Sequence, residues 1–157
     1  MDERIYGLLG RKLGHSWSVP IHAALGNGAY RLLELEPDGL APFLHRKDIG
    51  GLNVTIPYKE QVIPYLDDLD EDARLIGAVN VIKFTKGLFG KKLKGYNSDI
   101  IGFKQSIDPL LNETHRKALI LGTGGASKAV FQGLKQLGVG ATLVSRKPKE
   151  FCITYDE

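Results

Sequence analysis

The 157-residue chain carries a formal net charge of +3, with 43% hydrophobic and 25% charged residues, which is typical of a soluble globular protein. Its basic residues are spread along the sequence, which excludes the clustered basic surface of a nucleic-acid binder. A single cysteine, Cys152, cannot form an internal disulfide, and no apolar run is long enough to span a membrane. We therefore expect a cytoplasmic protein without nucleic-acid or membrane partners.

Apolar runs alternate with helical segments along the whole chain. The predicted strands are residues 5–9, 30–35, 52–55, 79–85, 93–96, 118–121 and 141–145. The predicted helices are residues 18–25, 40–45, 57–65, 71–76, 100–111 and a last one that ends near residue 137. Strands that alternate with helices favour an α/β fold with mostly parallel sheets joined by right-handed crossovers.

The helix at residues 100–111 is the predicted boundary between two parts of the chain. We expect a first domain at 1–100, a connecting helix at 101–112 and a shorter segment at 113–157. That segment begins like a dinucleotide-binding fold, which is built from two βαβαβ halves, but it contains only two predicted strands. A stable sheet needs three or more strands or a packed helix, so we expect an incomplete Rossmann-like domain in a fragment of a longer protein. We expect this domain to be stabilised only by self-association or by neighbouring molecules in a crystal.

A glycine-rich loop follows the predicted strand at 118–121 and opens the next helix. It consists of Gly122-Thr123-Gly124-Gly125-Ala126. Glycines at these positions permit a tight turn and let the backbone approach a pyrophosphate at the helix N-terminus. Ser127 occupies the third glycine position of the G-x-G-x-x-G pattern, so a plain strand-to-helix turn stays open as an alternative.

The end of the following strand carries Ser145-Arg146-Lys147. NAD-binding folds place an acidic residue here, which holds the ribose 2′-hydroxyl, whereas an arginine suits a 2′-phosphate. This position therefore favours NADP over NAD as the cofactor. The alternative is that Arg146 lies in solvent at the end of a strand.

Three stretches ahead of the glycine loop contain motifs that are more specific for a protein family than the loop itself. They are Gly14-His15-Ser16-Trp17-Ser18, then Asn53-Val54-Thr55-Ile56-Pro57-Tyr58-Lys59, then Gly77-Ala78-Val79-Asn80 followed by Gly95-Tyr96-Asn97-Ser98-Asp99. In this order, and followed by the glycine loop, they closely resemble the pattern of the shikimate dehydrogenases. The resemblance extends from about residue 5 to residue 147.

The resemblance implies an NADP-dependent oxidoreductase that interconverts shikimate and 3-dehydroshikimate in the chorismate pathway of aromatic amino-acid biosynthesis. It implies that Lys59 and Asp99 form the catalytic pair. It also implies that Ser16 and Ser18 bind the substrate carboxylate, and that Thr55, Lys59, Asn80 and Asp99 bind elsewhere on the substrate. The predicted cofactor-binding residues are Gly122, Thr123, Gly124, Gly125, Ala126, Ser145, Arg146 and Lys147, and no metal site is expected.

The proposed chemistry fits these residue types. Reduction of a ketone by hydride creates an alkoxide, which must receive a proton or a positive charge, and a lysine ammonium supplies either. Lys59 is predicted in the first turn of a helix, where the macrodipole disfavours a cation, and such a local inconsistency is typical of a functional residue.

Each site residue also has a structural alternative. Serine hydroxyls in a turn commonly bond to the local backbone, Lys59 could be a solvated surface lysine, and Asp99 could be the N-cap of the helix that follows it. At the level of function, a quinate/shikimate dehydrogenase and a non-catalytic substrate-binding relative stay open.

Overall fold

The computed structural model of the chain describes residues 4–87, 90–148 and 150–157. These residues divide into two units, Met1–Asn97 and Ser98–Glu157. The fold class predicted from the sequence is confirmed, because both units are built from α-helices and mostly parallel strands.

The first unit is built on a six-stranded sheet. Its strands are β1 (Ile5–Gly10), β2 (Arg31–Glu34), β3 (Ile49–Val54), β4 (Asp68–Leu69), β5 (Val81–Gly87) and β6 (Gly90–Tyr96). Its helices are α1 (Ser18–Ala24), α2 (Leu40–Leu44), α3 (Tyr58–Gln61) and α4 (Glu71–Ile76), and short 3-10 turns cover Pro37–Gly39 and Ile63–Tyr65.

The strand order in this sheet is β2-β1-β3-β5-β6-β4. Strand β1 is parallel to both of its neighbours, and β4 is parallel to β6, whereas β5 is antiparallel to β3 and to β6. The carboxyl ends of β1, β3 and β6 therefore lie at the same edge of the sheet as the amino end of β5. Loops from four strands meet at that edge.

The core of the first unit lies on the sheet face that α2, α3 and α4 cover. Leu9 and Val54 from the strands pack there with Tyr58 and Val62 from the α3 region, and all four are almost fully buried. The Tyr58 hydroxyl donates a hydrogen bond to the carbonyl of Leu35, so the polar atom of this buried side chain has a hydrogen-bond partner.

Gly95 in β6 allows the close packing of this core. A Cβ atom at this position would lie 2.6 Å from Leu66 Cδ1, 2.7 Å from Val79 Cγ2 and 2.8 Å from Leu69 Cδ2. We expect Gly95→Ala to lower the free energy of unfolding by about 1–3 kcal/mol, because overpacking forces neighbouring side chains out of their places. Urea unfolding checks this, with Gly28→Ala as the control because its added Cβ meets no atom within 4 Å. Equal stability of the two variants would contradict the prediction.

The second unit begins with a helix and then forms a parallel sheet. Its elements are α5 (Asp99–Ile107), a 3-10 turn at Asp108–Leu110, β7 (Lys117–Leu121), α6 (Ser127–Gln136), β8 (Gly140–Ser145) and β9 (Cys152–Thr154). The sheet order is β7-β8-β9, and both pairings are parallel.

The expectation of only two strands in this segment is wrong, because β9 adds a third. Parallel strands usually require a helical crossover, and the described residues between β8 and β9 form no helix, so no helical pattern in the sequence indicated a further strand. Ile120, Leu134 and Val139 form a buried cluster between the sheet and the helices. The unit therefore has the third strand whose absence was the reason for expecting dependence on self-association.

Candidate active site and cofactor cleft

The two serines predicted to bind a carboxylate lie in the loop after β1 and converge. Ser16 Oγ donates to Ser18 Oγ at 3.1 Å, and the backbone amide of Ser18 donates to Ser16 Oγ at 3.2 Å. Both residues are half-buried. The loop is anchored as well, since the amide of Leu13 donates to Glu34 Oε1 at 2.6 Å and the amide of Ser16 donates to the carbonyl of Leu13 at 2.8 Å. The serines thus make the local bonds of a turn and also place two hydroxyls side by side.

Thr55 directly follows β3 and is fixed to the end of β1. Its amide donates to the carbonyl of Leu9 at 2.9 Å, and a Cβ atom on Gly10 would lie 2.9 Å from Thr55 Cγ2. The serine loop follows this same strand, so Thr55 and the start of that loop both lie at the carboxyl end of β1. Only glycine at position 10 leaves room for this close approach.

Asn80 lies at the same edge, immediately before β5. Its carbonyl accepts a hydrogen bond of 2.8 Å from the amide of Val54, and its own amide donates to the carbonyl of Tyr96 at 3.0 Å. Asn80 is buried, with 9% of its surface exposed. Backbone hydrogen bonds therefore join this residue to the ends of β3 and β6.

Lys59 is bonded through its backbone to the segment that precedes β5. Its carbonyl accepts a 2.7 Å hydrogen bond from the amide of Val79, and its side chain is half-buried. Helix α3 is only four residues long, shorter than the predicted helix at 57–65, so a helix macrodipole has little effect at this position. Lys59 differs from an ordinary surface lysine because its backbone is hydrogen-bonded to Val79, the residue directly before Asn80.

Asn97 was not singled out as a site residue. Its side chain is buried, and Nδ2 donates to the carbonyl of Ala78 at 2.9 Å. This bond joins the segment after β6 to the segment that leads to Asn80. A buried side-chain amide needs such a partner, and the bond to Ala78 supplies one.

Asp99 belongs to the second unit and is the first residue of α5. The N-cap position is occupied by Ser98, so the interpretation of Asp99 as the helix N-cap is wrong. A carboxylate in the first turn of a helix is favoured by the macrodipole. Asp99 is half-buried.

The predicted cofactor residues come together within the second unit. Gly122, Thr123 and Gly124 from the loop after β7, and Ser145, Arg146 and Lys147 from the end of β8, line one cleft of about 780 Å³. Gly125 and Ala126 continue the loop into α6. Tyr155, which follows β9, also lines the cleft. It was not predicted as a site residue, because the strand that precedes it was not predicted either.

The loop has the geometry that its glycines permit. Gly122 has a φ of 117°, a conformation that side chains rarely adopt, and its amide donates to the carbonyl of Val144 at 2.9 Å. The N-cap residue of α6 is Ala126, whose methyl side chain has no acceptor for the amides of the first turn. The positive end of a ten-residue helix therefore lies beside the loop.

Two cationic side chains, Arg146 and Lys147, follow the end of β8. Arg146 and Lys147 are exposed, whereas Ser145 is buried, with 6% of its surface exposed. The amide of Lys147 donates to Ser145 Oγ at 3.5 Å, which gives Ser145 a role in shaping the turn.

None of the helices in the described ranges combines the length and the apolar character that a bilayer span requires. The same ranges hold no group of three or more His, Cys, Asp or Glu side chains that could bind a metal ion.

Comparison with known proteins gives a consistent result. Residues 8–82 match the family described as "Shikimate dehydrogenase substrate binding domain". The NADP(+) shikimate dehydrogenase of Halothermothrix orenii is 47% identical over 141 residues, covering 81% of this chain and 46% of that protein. The chain is related to the shikimate dehydrogenases. The resemblance predicted from the sequence is confirmed.

Solved structures support the same relationship. The chorismate mutase/shikimate 5-dehydrogenase fusion protein of Clostridium acetobutylicum superposes with a TM-score of 0.83 at 37% identity, covering 99% of this chain and 62% of that one. A shikimate 5-dehydrogenase from Thermus thermophilus in complex with NADP(H) and shikimate has a TM-score of 0.79 at 28% identity, covering 96% and 62%. The chain spans about half the length of the curated relatives it matches.

Proposed function

We propose that the protein is an NADP-dependent oxidoreductase that interconverts shikimate and 3-dehydroshikimate in aromatic amino-acid biosynthesis, in the cytoplasm. The observation that carries the proposal is the set of backbone bonds that gathers the motif segments at one sheet edge. Thr55 is bonded to the end of β1, Asn80 to the ends of β3 and β6, and Lys59 to Val79. These are the segments whose motifs resemble the shikimate dehydrogenase pattern.

The serine loop is proposed to bind the substrate carboxylate. Ser16 and Ser18 lie within hydrogen-bond distance of each other, so one anion can replace their mutual bond and accept from both hydroxyls. Thr55 and Asn80 supply polar side chains at the same edge of the sheet and are proposed to bind the ring hydroxyls. Shikimate carries both chemical features, a carboxylate and several hydroxyls.

Lys59 and Asp99 are proposed as the catalytic residues. The Lys59 ammonium gives a proton to the oxygen of the ketone as it is reduced, and takes it back in the reverse direction. Asp99 is proposed to accept a hydrogen bond from a substrate hydroxyl, which fixes the orientation of the reacting carbon. Both assignments depend on the match of the motifs.

The cleft of the second unit fits NADP. Gly122 and Gly124 let the backbone approach a pyrophosphate, and the N-terminus of α6 supplies the positive partial charge that favours an anion. Arg146 and Lys147 are proposed to bind the 2′-phosphate, since a guanidinium forms paired charge-assisted hydrogen bonds with phosphate oxygens. When bound, the nicotinamide supplies the hydride-transfer chemistry.

We also propose that the second unit self-associates. In β7, Ile120 is buried, whereas its neighbours Leu119 and Leu121 on the opposite face are 64% and 69% exposed. Two exposed leucines on one face of a short sheet favour burial against another apolar surface.

An assay of the complete gene product tests the proposed function. We expect NADPH formation from shikimate and NADP, followed by absorbance, with a higher kcat/KM than with quinate or with NAD. Quinate is the discriminating substrate, because it tests the alternative of a quinate/shikimate dehydrogenase. A properly folded product that turns over neither shikimate nor quinate would overturn the proposal in favour of a non-catalytic relative.

A further inference from the structure

The carboxyl ends of all three parallel strands in the second unit contribute to one cleft. The glycine loop follows β7, the Ser145–Lys147 turn ends β8, and Tyr155 follows β9. Ligands of parallel α/β sheets bind at the carboxyl ends of the strands. Tyr155 occupies such a position, and the proposed function gives it no role.

The turn that carries Tyr155 is closed by side-chain hydrogen bonds. Glu157 Oε2 accepts from the amide of Thr154 at 2.7 Å and from Thr154 Oγ1 at 3.1 Å. The same bonds hold the pKa of the Glu157 carboxyl below its usual value. The backbone on both sides of Tyr155 is therefore tied together, while Tyr155 itself remains 57% exposed.

We infer that Tyr155 forms the wall of the cleft on which the adenine ring of the cofactor stacks, an inference that rests on the proposed function. In NADP the 2′-phosphate and the adenine are attached to the same ribose. If Arg146 and Lys147 bind that phosphate, the adenine lies within a few bonds of the end of β8, whose neighbours in the sheet are β7 and β9. Tyr155 is the only aromatic side chain among the described residues that line the cleft.

The chemistry of the tyrosine ring suits an adenine. A flat aromatic face stacks on a nucleobase without needing a particular hydrogen-bond pattern. The phenol ring also loses little conformational entropy on binding, because it has only two rotatable side-chain bonds. An aromatic ring that lines the same cleft as a cationic strand end thus matches a ligand that has an aromatic base next to a phosphate.

Titration of the complete gene product with NADP and with 2′,5′-ADP tests this role. Replacing Tyr155 by alanine should raise both dissociation constants about tenfold, the order of effect seen when a base-stacking aromatic is removed. Tyr155→Phe should leave them within about twofold of the original, because the aromatic face is retained. The matched control is Phe151→Ala. Phe151 is 88% exposed and lies outside the lining of the cleft, so its loss should leave both constants unchanged.

The possible results separate this inference from the proposed function. Unchanged affinity in Tyr155→Ala, in a protein that still binds NADP, overturns the stacking role alone. Equal losses in Tyr155→Phe and Tyr155→Ala also overturn it, since they assign the effect to the hydroxyl. Absence of NADP and 2′,5′-ADP binding by the unaltered protein overturns both the inference and the assignment of the cofactor. A loss confined to Tyr155→Ala, for both ligands, supports the inference.

Discussion

Lys59→Ala is expected to lower the turnover number of the complete gene product by about 100-fold or more. The alanine variant has no ammonium to give a proton to the developing alkoxide, and water must replace it. The KM for shikimate should change much less than the turnover number, because the serine loop, Thr55 and Asn80 still bind the substrate. Steady-state kinetics with varied shikimate at saturating NADP separate these two effects.

Two comparisons make the Lys59 result interpretable. Lys83→Ala removes an exposed lysine from β5 in the same unit, outside the proposed site, and should leave the turnover number unchanged. Thermal unfolding should show that Lys59→Ala remains folded, because the backbone carbonyl that accepts from Val79 is retained. Near-normal turnover in the Lys59 variant would remove this residue from the catalytic role.

The strands and helices that the sequence predicted well are those with strong local signals. The apolar run of β1 ends at Gly10, and α4 is capped by Gly77, whose φ of 68° is the left-handed conformation that glycine favours. Asp70 caps α4 by accepting from the amide of Ala73 at 2.8 Å. Such features act within a few residues of one another, so they can be recognised in the sequence alone.

Elements that depend on distant partners were missed or misjudged. Strand β4 is two residues long and exists because Asp68 and Leu69 pair with Lys94 and Gly95 of β6. The predicted helix at 57–65 is interrupted, and its second half is a 3-10 turn at Ile63–Tyr65. The antiparallel placement of β5 between β3 and β6 is likewise decided by pairing between strands, which local periodicity does not report.

The same distinction applies to the candidate sites. The glycine loop and the strand end at Arg146 were recognisable because their residue types are placed by one local motif, and the structure brings them to one cleft. Tyr155 reaches that cleft only through the pairing of β9 with β8. The alternation of Cys152, Ile153 and Thr154 was too short a signal to indicate a strand. The roles of the substrate and cofactor residues stay predictions.

Arg146→Glu is expected to lower kcat/KM for NADP by about 100-fold, and to reverse the preference between NADP and NAD. An arginine that holds a phosphate through paired charge-assisted hydrogen bonds contributes roughly 1.5–3 kcal/mol for each bond. The glutamate removes those bonds, repels the 2′-phosphate and offers an acceptor to the 2′-hydroxyl of NAD. Lys147 remains in the variant, so residual NADP turnover should weaken further as salt screens its charge.

Kinetics with both cofactors at saturating shikimate measure this switch in the complete gene product. Arg116→Glu is the matched control, because it makes the same charge change at an exposed arginine of the second unit that does not line the cleft. That variant should keep the original preference for NADP, since its effect on the cleft is limited to screened long-range repulsion. If the unaltered protein used NADP and NAD with comparable kcat/KM, or if both glutamate variants lost NADP turnover equally, Arg146 would not be the residue that selects the phosphorylated cofactor.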